Sequence, residues 1–553
     1  MTDHQTPSTG SNPVQPQSAG APETNCAAAD VAAADVAAPE VAPPHTSTVD
    51  IASAEPEPFF SGIEEPDYLP EPDEKAQRTA RGAVVIGARV LTGVVGIVVG
   101  AIALGAAAFL PLPSHSSAPL SRVVTPVGTA QQRVCAGPLL AIGGAAGQPA
   151  TVLTSSGTPS VRYSQSAGSA ALRPLTATDN TTGRAPALLT LAPDSGVHSP
   201  IVTGSQTEQI ASGDLVGLAA AGCAEPATDS WLIGGATETG RTTLVSLSNP
   251  SNVTAVVTLG IFSETGAVSA IGTDGISVPP GSQRVFSLAG FAPDVVSPVV
   301  RVQSRGGQVV ANLQQSVVRT LEPGGVDIVG TSAAPSTLTT IPGLVLSNEA
   351  GVAARQAESG FTDLRSVIRL FVPGSVQAKA EIMITPEDGS AAPSPVRIVL
   401  QAGMVSEVPL DSYPDGSYTV RVITDQPVVA AARVSTVGAT GKTDFAWDAS
   451  AATISNRALV VVAPGPSPTL HLANPTQKIV SATFSEVGEA AQQLTIPAGG
   501  AIAQPVTSGS YYSVTGFDSL AMSVSYLGDG ELAGFAVSTS APTAAPIRVY
   551  PSR

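Results

Sequence analysis

The pattern of hydrophobic and polar positions divides the chain into three parts. Residues 1–81 show no periodic apolar pattern and are rich in Pro, Ala, Asp and Glu. Residues 90–110 form a continuous apolar run, and the remainder shows short alternating runs separated by Gly, Pro and Asn, which is typical of strands and turns. We therefore predict a disordered acidic tail at 1–81, a transmembrane helix at 82–112 and a mainly β region after it.

The apolar run is long enough to cross a bilayer, which requires roughly 20 apolar helical residues. Lys75, Arg78, Arg81 and Arg89 precede it, and basic residues favour the cytoplasmic flank of a span. We expect a single-pass membrane protein with a cytoplasmic N-terminus and an extracytoplasmic C-terminal region. A cleaved signal peptide is the alternative, although the run is longer than the usual signal and follows a long tail. The spacing of two glycines in the run, 96 and 100, gives a weak indication of a helix-mediated homodimer.

An internal repeat is visible in the C-terminal region. An Asn-Pro landmark follows a short apolar run twice and recurs more loosely as Val372-Pro373, and a Gly-Ser-Tyr landmark occurs in the last two copies. The landmark residues are Asn249, Asn474, Tyr418 and Tyr511. The pitch of roughly 100 residues is that of an immunoglobulin-like β-sandwich.

These landmarks predict a domain organisation. We expect an N-terminal extracytoplasmic β region at 120–228, followed by β-sandwich repeats at 229–335, 336–450 and 451–553. A β-propeller is the alternative fold, because four-stranded blades give the same spacing of short strands. We interpret the landmarks as structural: Pro ends a strand cleanly, and the Tyr hydroxyl caps a turn at a corner.

Composition and charge exclude one class of partner. The chain is 43% hydrophobic but only 4% aromatic and 12% charged, and its net charge is −17. A nucleic-acid partner requires a basic surface, so we expect none.

The chain has three cysteines, Cys26, Cys135 and Cys223. If the C-terminal region lies in an oxidising compartment, Cys135 and Cys223 are the only pair that can form there. We predict that these two form a disulfide and that Cys26 stays a free thiol.

The sequence offers no chemistry for catalysis. It contains no H-E-x-x-H, C-x-x-C, G-x-S-x-G or S-x-x-K signature, so we predict no catalytic, cofactor-binding or metal-binding residue. His471 lies between two leucines on a predicted strand and is expected to point outward as a polar residue. The acidic-Gly segments at 387–389, 415–416 and 529–531 are expected to be plain turns rather than calcium ligands.

One segment near the end of the second repeat, Asp444-Phe445-Ala446-Trp447, carries an aromatic pair that looks exposed. We expect it to be a linker that packs on its neighbour. A platform on which a sugar ring stacks is the alternative.

The order of several motifs resembles a family of actinobacterial membrane-anchored proteins defined by domain of unknown function 5719. The motifs are Val134-Cys-Ala-Gly-Pro138, Gly222-Cys-Ala224 and Trp231-Leu-Ile-Gly-Gly235, followed by Leu-x-Asn-Pro. The resemblance covers residues 120 to about 545. It implies residence in the cell envelope and no catalytic residues.

These observations favour a non-enzymatic envelope scaffold that binds a protein or glycan outside the membrane. Two alternatives remain open. The first is an accessory or catalytic subunit in envelope polysaccharide handling, which requires two carboxylates in a cleft. The second is a transmembrane signalling protein whose acidic tail is the cytoplasmic output.

Overall fold

A computed structural model describes residues 93–102 and 105, 122–124, 130–143, 152–180, 185–193, 200–538 and 547–549. The chain forms two compact units, residues 1–115 and 116–553. In the first unit, residues 93–102 are helical (α1). Within the described residues, no helix combines the length and the apolar character needed to cross a membrane. The predicted disordered tail and much of the predicted transmembrane segment lie outside the described residues.

The second unit is built almost wholly from strands. The strands before repeat 1 are β1 Arg122–Val124, β2 Gln131–Val134, β3 Leu140–Ile142, β4 Leu153–Ser155, β5 Ser160–Gln165, β6 Ala170–Pro174, β7 Thr176–Ala177, β8 Ala187–Leu191, β9 Val202–Ser212 and β10 Leu215–Gly222. Repeat 1 contains β11 Asp229–Ile233, β12 Arg241–Asn249, β13 Ala255–Ser263, β14 Gly266–Val268, β15 Ile276–Val278, β16 Ser282–Ser287, a 3-10 turn Leu288–Gly290, β17 Val299–Arg305, β18 Val310–Arg319 and β19 Glu322–Val329.

Repeats 2 and 3 have seven strands each. Repeat 2 contains β20 Ser336–Leu346, the short helix α2 Glu349–Gln356, β21 Val367–Phe371, β22 Ala378–Pro386, β23 Val396–Leu400, β24 Val405–Pro409, β25 Gly416–Val437 and β26 Thr443–Ala449. Repeat 3 contains β27 Ile454–Val461, β28 Thr469–Ala473, β29 Val480–Glu486, β30 Gln492–Ile496, β31 Ala501–Pro505, β32 Tyr511–Gly528 and β33 Glu531–Ala536, and it is followed by β34 Ile547–Val549.

The three repeats share one topology. In repeat 2 the first half of the long strand β25 pairs with β20 and β22, and its second half pairs with β21 and β26. Strand β32 pairs with β27, β29, β28 and β33 in the same way. In repeat 1 the corresponding strand is divided into β17 and β18. Each repeat therefore consists of two antiparallel, sandwich-like sheets, and the fold is mainly β.

The burial pattern distinguishes outer from inner strands. Strand β13 alternates strictly between buried and half-buried positions, as expected for a sheet with one solvated face. Every residue of β26 is buried, so both of its faces are covered. The cores between the sheets are built mostly from Val, Leu, Ile and Ala.

The inner strands form a ring. Strand β10 packs against β19 and β33, and β26 packs against the same two strands on the opposite side. These four are the last strands of the first β region and of the three repeats. We call these four parts of the second compact unit the β units, or units for short. The inner sheets of the sandwich-like repeats thus surround a common axis, as the blades of a propeller do. Strands β1 and β34 pair with each other, which joins the two ends of this unit.

Candidate functional site

One carboxylate links all four inner strands. Asp444 on β26 is fully buried, and its Oδ2 accepts hydrogen bonds from the backbone N–H groups of Leu218 on β10 (2.9 Å) and Leu532 on β33 (3.2 Å). Its Oδ1 accepts a hydrogen bond from Val326 on β19 (3.3 Å). The side chain of one strand therefore contacts the backbone of the other three, and we call this the axial hub.

Two glycines leave room for the hub. Gly217 and Gly325 have φ of +148° and +120°, and a Cβ at either position would lie 2.5 or 2.7 Å from Asp444 Oδ1. Any larger residue would displace the carboxylate from its donors.

The segment around the hub differs from the prediction. Phe445 is fully buried and Trp447 is 2% exposed, so the expectation of an exposed-looking aromatic pair was wrong, and the alternative of a sugar-stacking platform fails with it. Residues 443–449 are not a linker but the innermost strand of repeat 2. The sequence does not reveal this because one face of β26, at Ala446, packs in the core of repeat 2, while the other, at Phe445 and Trp447, packs on residues of repeat 1.

Two further buried carboxyl groups lie beside the hub. Asp327 Oδ2 accepts a hydrogen bond from the backbone N–H of Trp447 (2.7 Å), and Asp448 lies near it. Burial raises the pKa of Asp444 and of Asp448 to about 8 each, and raises that of Asp327 well above its ordinary value. Within the described residues, no three His, Cys, Asp or Glu side chains are placed to hold a metal ion. Asp444 and Asp327 serve as hydrogen-bond acceptors in the core.

A cavity of about 200 Å³ lies where the four inner strands end. Each unit contributes to its wall: Glu225 follows β10, Ser332 follows β19, Ser450 follows β26 and Phe535 lies on β33. We call this the axial cavity. Residues of the first β region and of all three repeats meet here, close to the C-terminal ends of their inner strands.

A buried arginine supports one wall of the cavity. The guanidinium of Arg133 on β2 donates to Val202 O (2.6 Å) and Ser538 Oγ (2.6 Å), and it forms an ion pair with Glu225 (3.2 Å). Burial lowers the pKa of Arg133, and the negative charge of Glu225 opposes this shift. The arginine thereby joins β2 to β9 of the same β region and to Ser538, after the last strand of repeat 3.

The predicted disulfide between Cys135 and Cys223 is confirmed, with the two Cα atoms 4.0 Å apart. It joins the residue after β2 to the residue after β10, immediately behind the cavity wall. Cys26 lies outside the described residues.

The segment that follows Cys135 forms hydrogen bonds with both the first β region and repeat 1. Gln206 donates to Gly137 O and accepts from Gly137 N, and Gln314 of repeat 1 bonds in the same reciprocal way to Leu140. Strand β7 also adds to the edge of β16 in repeat 1. The segment from Val134 to Leu140 therefore links the first β region to repeat 1.

His471 does not point outward as expected; it is fully buried. Its Nδ1 lies 2.5 Å from Glu387 Oε2, and its Nε2 lies 2.7 Å from Ser525 Oγ. The prediction assumed one solvated face for β28, but β20 of repeat 2 packs on that face. None of these three side chains lines the axial cavity.

Glu387 is held as the charged partner of this pair. Burial favours its neutral form, but the charge of His471 and hydrogen bonds from His471, Thr419 and the Gly343 backbone outweigh burial, so its pKa lies below the ordinary value. Of the predicted acidic-Gly turns, residues 387–389 and 529–530 lie in turns or bends, whereas Gly416 begins β25 and Glu531 begins β33. The sequence did not suggest that Glu387 belongs to a buried ion pair between repeats.

The Asn-Pro landmarks are structural, as interpreted. Asn249 Nδ2 donates to Val253 O and Val278 O, and its Oδ1 accepts from Ser251 N. Asn474 makes the corresponding bonds in repeat 3, to Lys478 O and Ile496 O and from Thr476 N. Each asparagine thus fastens its turn to the neighbouring strand. In repeat 2, a backbone bond from Gly403 N to Val372 O replaces the asparagine.

The corner tyrosine is confirmed in one repeat and shifted in the other. Tyr418 donates its hydroxyl to Pro414 O (2.8 Å). In repeat 3 the hydroxyl at the corner belongs to Tyr512 rather than Tyr511, and it accepts from Thr507 N (2.7 Å).

The fold and the site define a class: a multi-unit β protein in which sandwich-like repeats surround a polar axis with a cavity at one end. The chain belongs to a family of unknown function (DUF5719), whose profile matches residues 176–506. The resemblance drawn from the motifs is confirmed to this extent. No match was found among curated proteins. Among solved structures, the chain is similar to the FN1–FN3 domains of chicken CNTN1 at 12% identity, over 59% of this chain and 99% of that chain, with a TM-score of 0.09 that carries no argument.

Proposed function

We propose that this protein is a non-enzymatic, single-pass protein of the cell envelope whose ring of β units binds a partner outside the membrane. The observation that carries the proposal is the axial cavity, to whose wall the first β region and all three repeats contribute residues. A preformed concave site lined by groups from several units is the usual form of a binding site.

The location is supported by two separate features. Residues 90–110 are apolar with basic residues before them, which favours an anchor with a cytoplasmic N-terminus. The disulfide between Cys135 and Cys223 favours an oxidising compartment for the β region. We further propose that the three repeats are immunoglobulin-like, on the grounds of their two sandwich-like sheets, their shared pitch and the seven strands of repeats 2 and 3.

Binding is favoured over hydrolysis by where the carboxyl groups lie. Glycoside hydrolysis uses two carboxyl groups that face a substrate cleft. Asp327 and Asp444 are fully buried and Asp448 is 6% exposed, so these three acids are enclosed rather than presented to a ligand.

Protease treatment of intact cells tests the location. We expect protease to degrade the region after residue 116 and to spare the N-terminal tail. Degradation of the tail with protection of the β region would contradict the proposed orientation.

Affinity capture tests the binding role. Gly330 lines the cavity, and a Cβ there would meet nothing within 4 Å, so Gly330→Leu adds a bulky side chain to a wall position whose Cβ is unobstructed. Gly290 is equally open and lies outside the cavity lining, so Gly290→Leu is the matched control. We expect the full-length protein and the control to capture the same envelope component and the Gly330→Leu variant to lose it. Equal capture by all three proteins would contradict a binding role for the cavity.

A further inference from the structure

We propose that the axial cavity binds a neutral, hydroxyl-bearing ligand of the size of a single sugar ring, such as the terminal unit of an envelope glycan. This inference rests on the proposed binding function and names the ligand class. The cavity of about 200 Å³ is smaller than the roughly 300–1,000 Å³ typical of sites for drug-sized ligands. It therefore admits one small ring rather than an extended chain.

The charge of the wall favours a neutral ligand. Glu225 is the one ionisable side chain among the described residues that line the cavity, and Arg133 behind the wall pairs with it at 3.2 Å. Because the two charges compensate each other, neither an anion nor a cation would find an unpaired opposite charge. Removing a charged ligand from water without such a partner is costly.

A buried hydroxyl in the wall lacks a partner. Ser450 is 1% exposed, and its Oγ has no hydrogen-bond partner among the residues that the structure describes. Buried polar atoms without partners are rare in native proteins, because each costs about 1–3 kcal/mol. Ser450 lines the cavity, so a ligand hydroxyl that reaches its enclosed Oγ would supply the missing bond. Ser332, also in the wall, donates its own hydroxyl to Ala333 O and keeps its lone pairs available as acceptors.

An aromatic ring completes the site. Phe535 is half-buried in the cavity wall and lies over Gly222, where a Cβ would come within 3.3 Å of the ring. Aromatic rings offer a flat apolar face. The C–H face of a sugar ring can pack on such a face while its hydroxyls bond to the serines. The wall therefore combines the Phe535 ring, two serine hydroxyls and the Glu225 carboxylate, whose charge is neutralised by Arg133. This combination fits a neutral sugar better than a charged metabolite.

Titration of small sugars into the full-length protein tests this proposal. The probes are galactose, arabinose and N-acetylglucosamine as neutral sugars, galacturonate as an anion, glucosamine as a cation and N-acetylalanine amide as an uncharged peptide analogue. The protein is kept in a detergent that carries no sugar, and binding is followed by saturation-transfer NMR.

We expect at least one neutral sugar to bind, and its charged counterpart to bind about ten-fold more weakly or not at all. Ser450→Ala should weaken binding of the neutral sugar about five-fold, the effect of losing one hydrogen bond. Gly330→Leu should abolish binding, and Gly290→Leu should leave it unchanged.

Three results would overturn the inference: no neutral sugar binds, the charged sugars or the peptide analogue bind more tightly, or Gly330→Leu binds as the wild type does. If any of these occurs while the capture experiment still shows dependence on Gly330, only the ligand class is wrong. If the capture experiment fails as well, the proposed binding function is wrong.

Discussion

The axis and the repeat turns use buried polar groups in opposite ways. At the axis, Asp444 bonds to backbone groups that lie more than 80 residues away in sequence. In the turns, Asn249 and Asn474 bond mainly within their own repeat, to groups 2 to 29 residues away. The turns therefore stabilise a repeat, whereas the hub stabilises the arrangement of the units. The difference teaches that repeat structure and ring structure depend on separate residues, and single substitutions can distinguish them.

Loss of the hub should have the largest effect. Asp444→Ala leaves the N–H groups of Leu218, Val326 and Leu532 buried without acceptors, at about 1–3 kcal/mol each. We expect the free energy of unfolding to fall by about 5 kcal/mol in chemical denaturation. A loss below about 1 kcal/mol would show that the hub does not hold the units together.

The buried pair between repeats 2 and 3 should come next. His471→Leu leaves the carboxylate of Glu387 buried without its main partner, and breaking such a pair costs roughly 3–5 kcal/mol. We expect a loss of about 4 kcal/mol by chemical denaturation. The double variant His471→Leu, Glu387→Leu should be more stable than the single variant, because no charge is then left unpaired. A double variant that is less stable would contradict this account.

The raised pKa values of the acids at the axis predict that the stability of the fold decreases as pH rises. Asp448 has an ordinary pKa of 3.8 and a folded-state pKa of about 8, so between these values the folded protein holds a proton that the unfolded chain has lost. Stability must therefore fall across this range, by about 1 kcal/mol per pH unit for one such group. Asp448→Asn should reduce the slope between pH 5 and pH 8 and recover about 3 kcal/mol at pH 8 relative to pH 5.

Groups with lowered pKa act in a different range. Glu387, and Asp363 with a pKa of about 2, contribute stability above their unfolded values that is lost on acidification through their folded values. Their effect falls mainly below about pH 4.5, so it does not obscure the slope between pH 5 and pH 8. A slope unchanged by Asp448→Asn would contradict the raised pKa.

The turn asparagines should have a smaller effect that is confined to one repeat. Asn249→Ala removes the bonds to Val253 O and Val278 O, and we expect a loss of about 2 kcal/mol in chemical denaturation. Asn252 lies in the same turn and is exposed, so Asn252→Ala is the matched control and should change stability by less than about 0.5 kcal/mol. Equal losses in the two variants would show that the landmark is not the fastening residue.

The corner tyrosines should give the smallest effect. Tyr418→Phe removes the bond to Pro414 O, and Tyr512→Phe removes the bond from Thr507 N and a longer one (3.3 Å) to Glu486 Oε2. Each substitution should cost about 1 kcal/mol, measured from denaturation midpoints. Tyr511→Phe should cost nothing measurable. If Tyr511→Phe is the more damaging substitution in repeat 3, the corner has been assigned to the wrong residue.

The sequence was informative wherever a feature depends on neighbours in the chain. The Asn-Pro turns, the Tyr418 corner and the β character follow from short sequence patterns. Cys135 and Cys223 were the only two cysteines after the predicted membrane span, so their pairing could be predicted as well. His471 and residues 443–449 were misjudged because their burial depends on strands of other units. Local alternation cannot show that a strand of one repeat covers the second face of another. The axial cavity has no sequence signal either, since its wall consists of single residues that follow four separate strands.

Hydrogen exchange of three amides tests the ring most directly. The amides of Leu218, Val326 and Leu532 belong to three different units and share the acceptor Asp444. We predict that in the wild type all three exchange only through the slowest opening of the molecule, and that all three lose protection together in Asp444→Ala while the amide of Ser251 in its repeat turn does not. If the three amides exchange at unrelated rates in the wild type, or if Asp444→Ala affects only repeat 2, the units do not meet at a common axis.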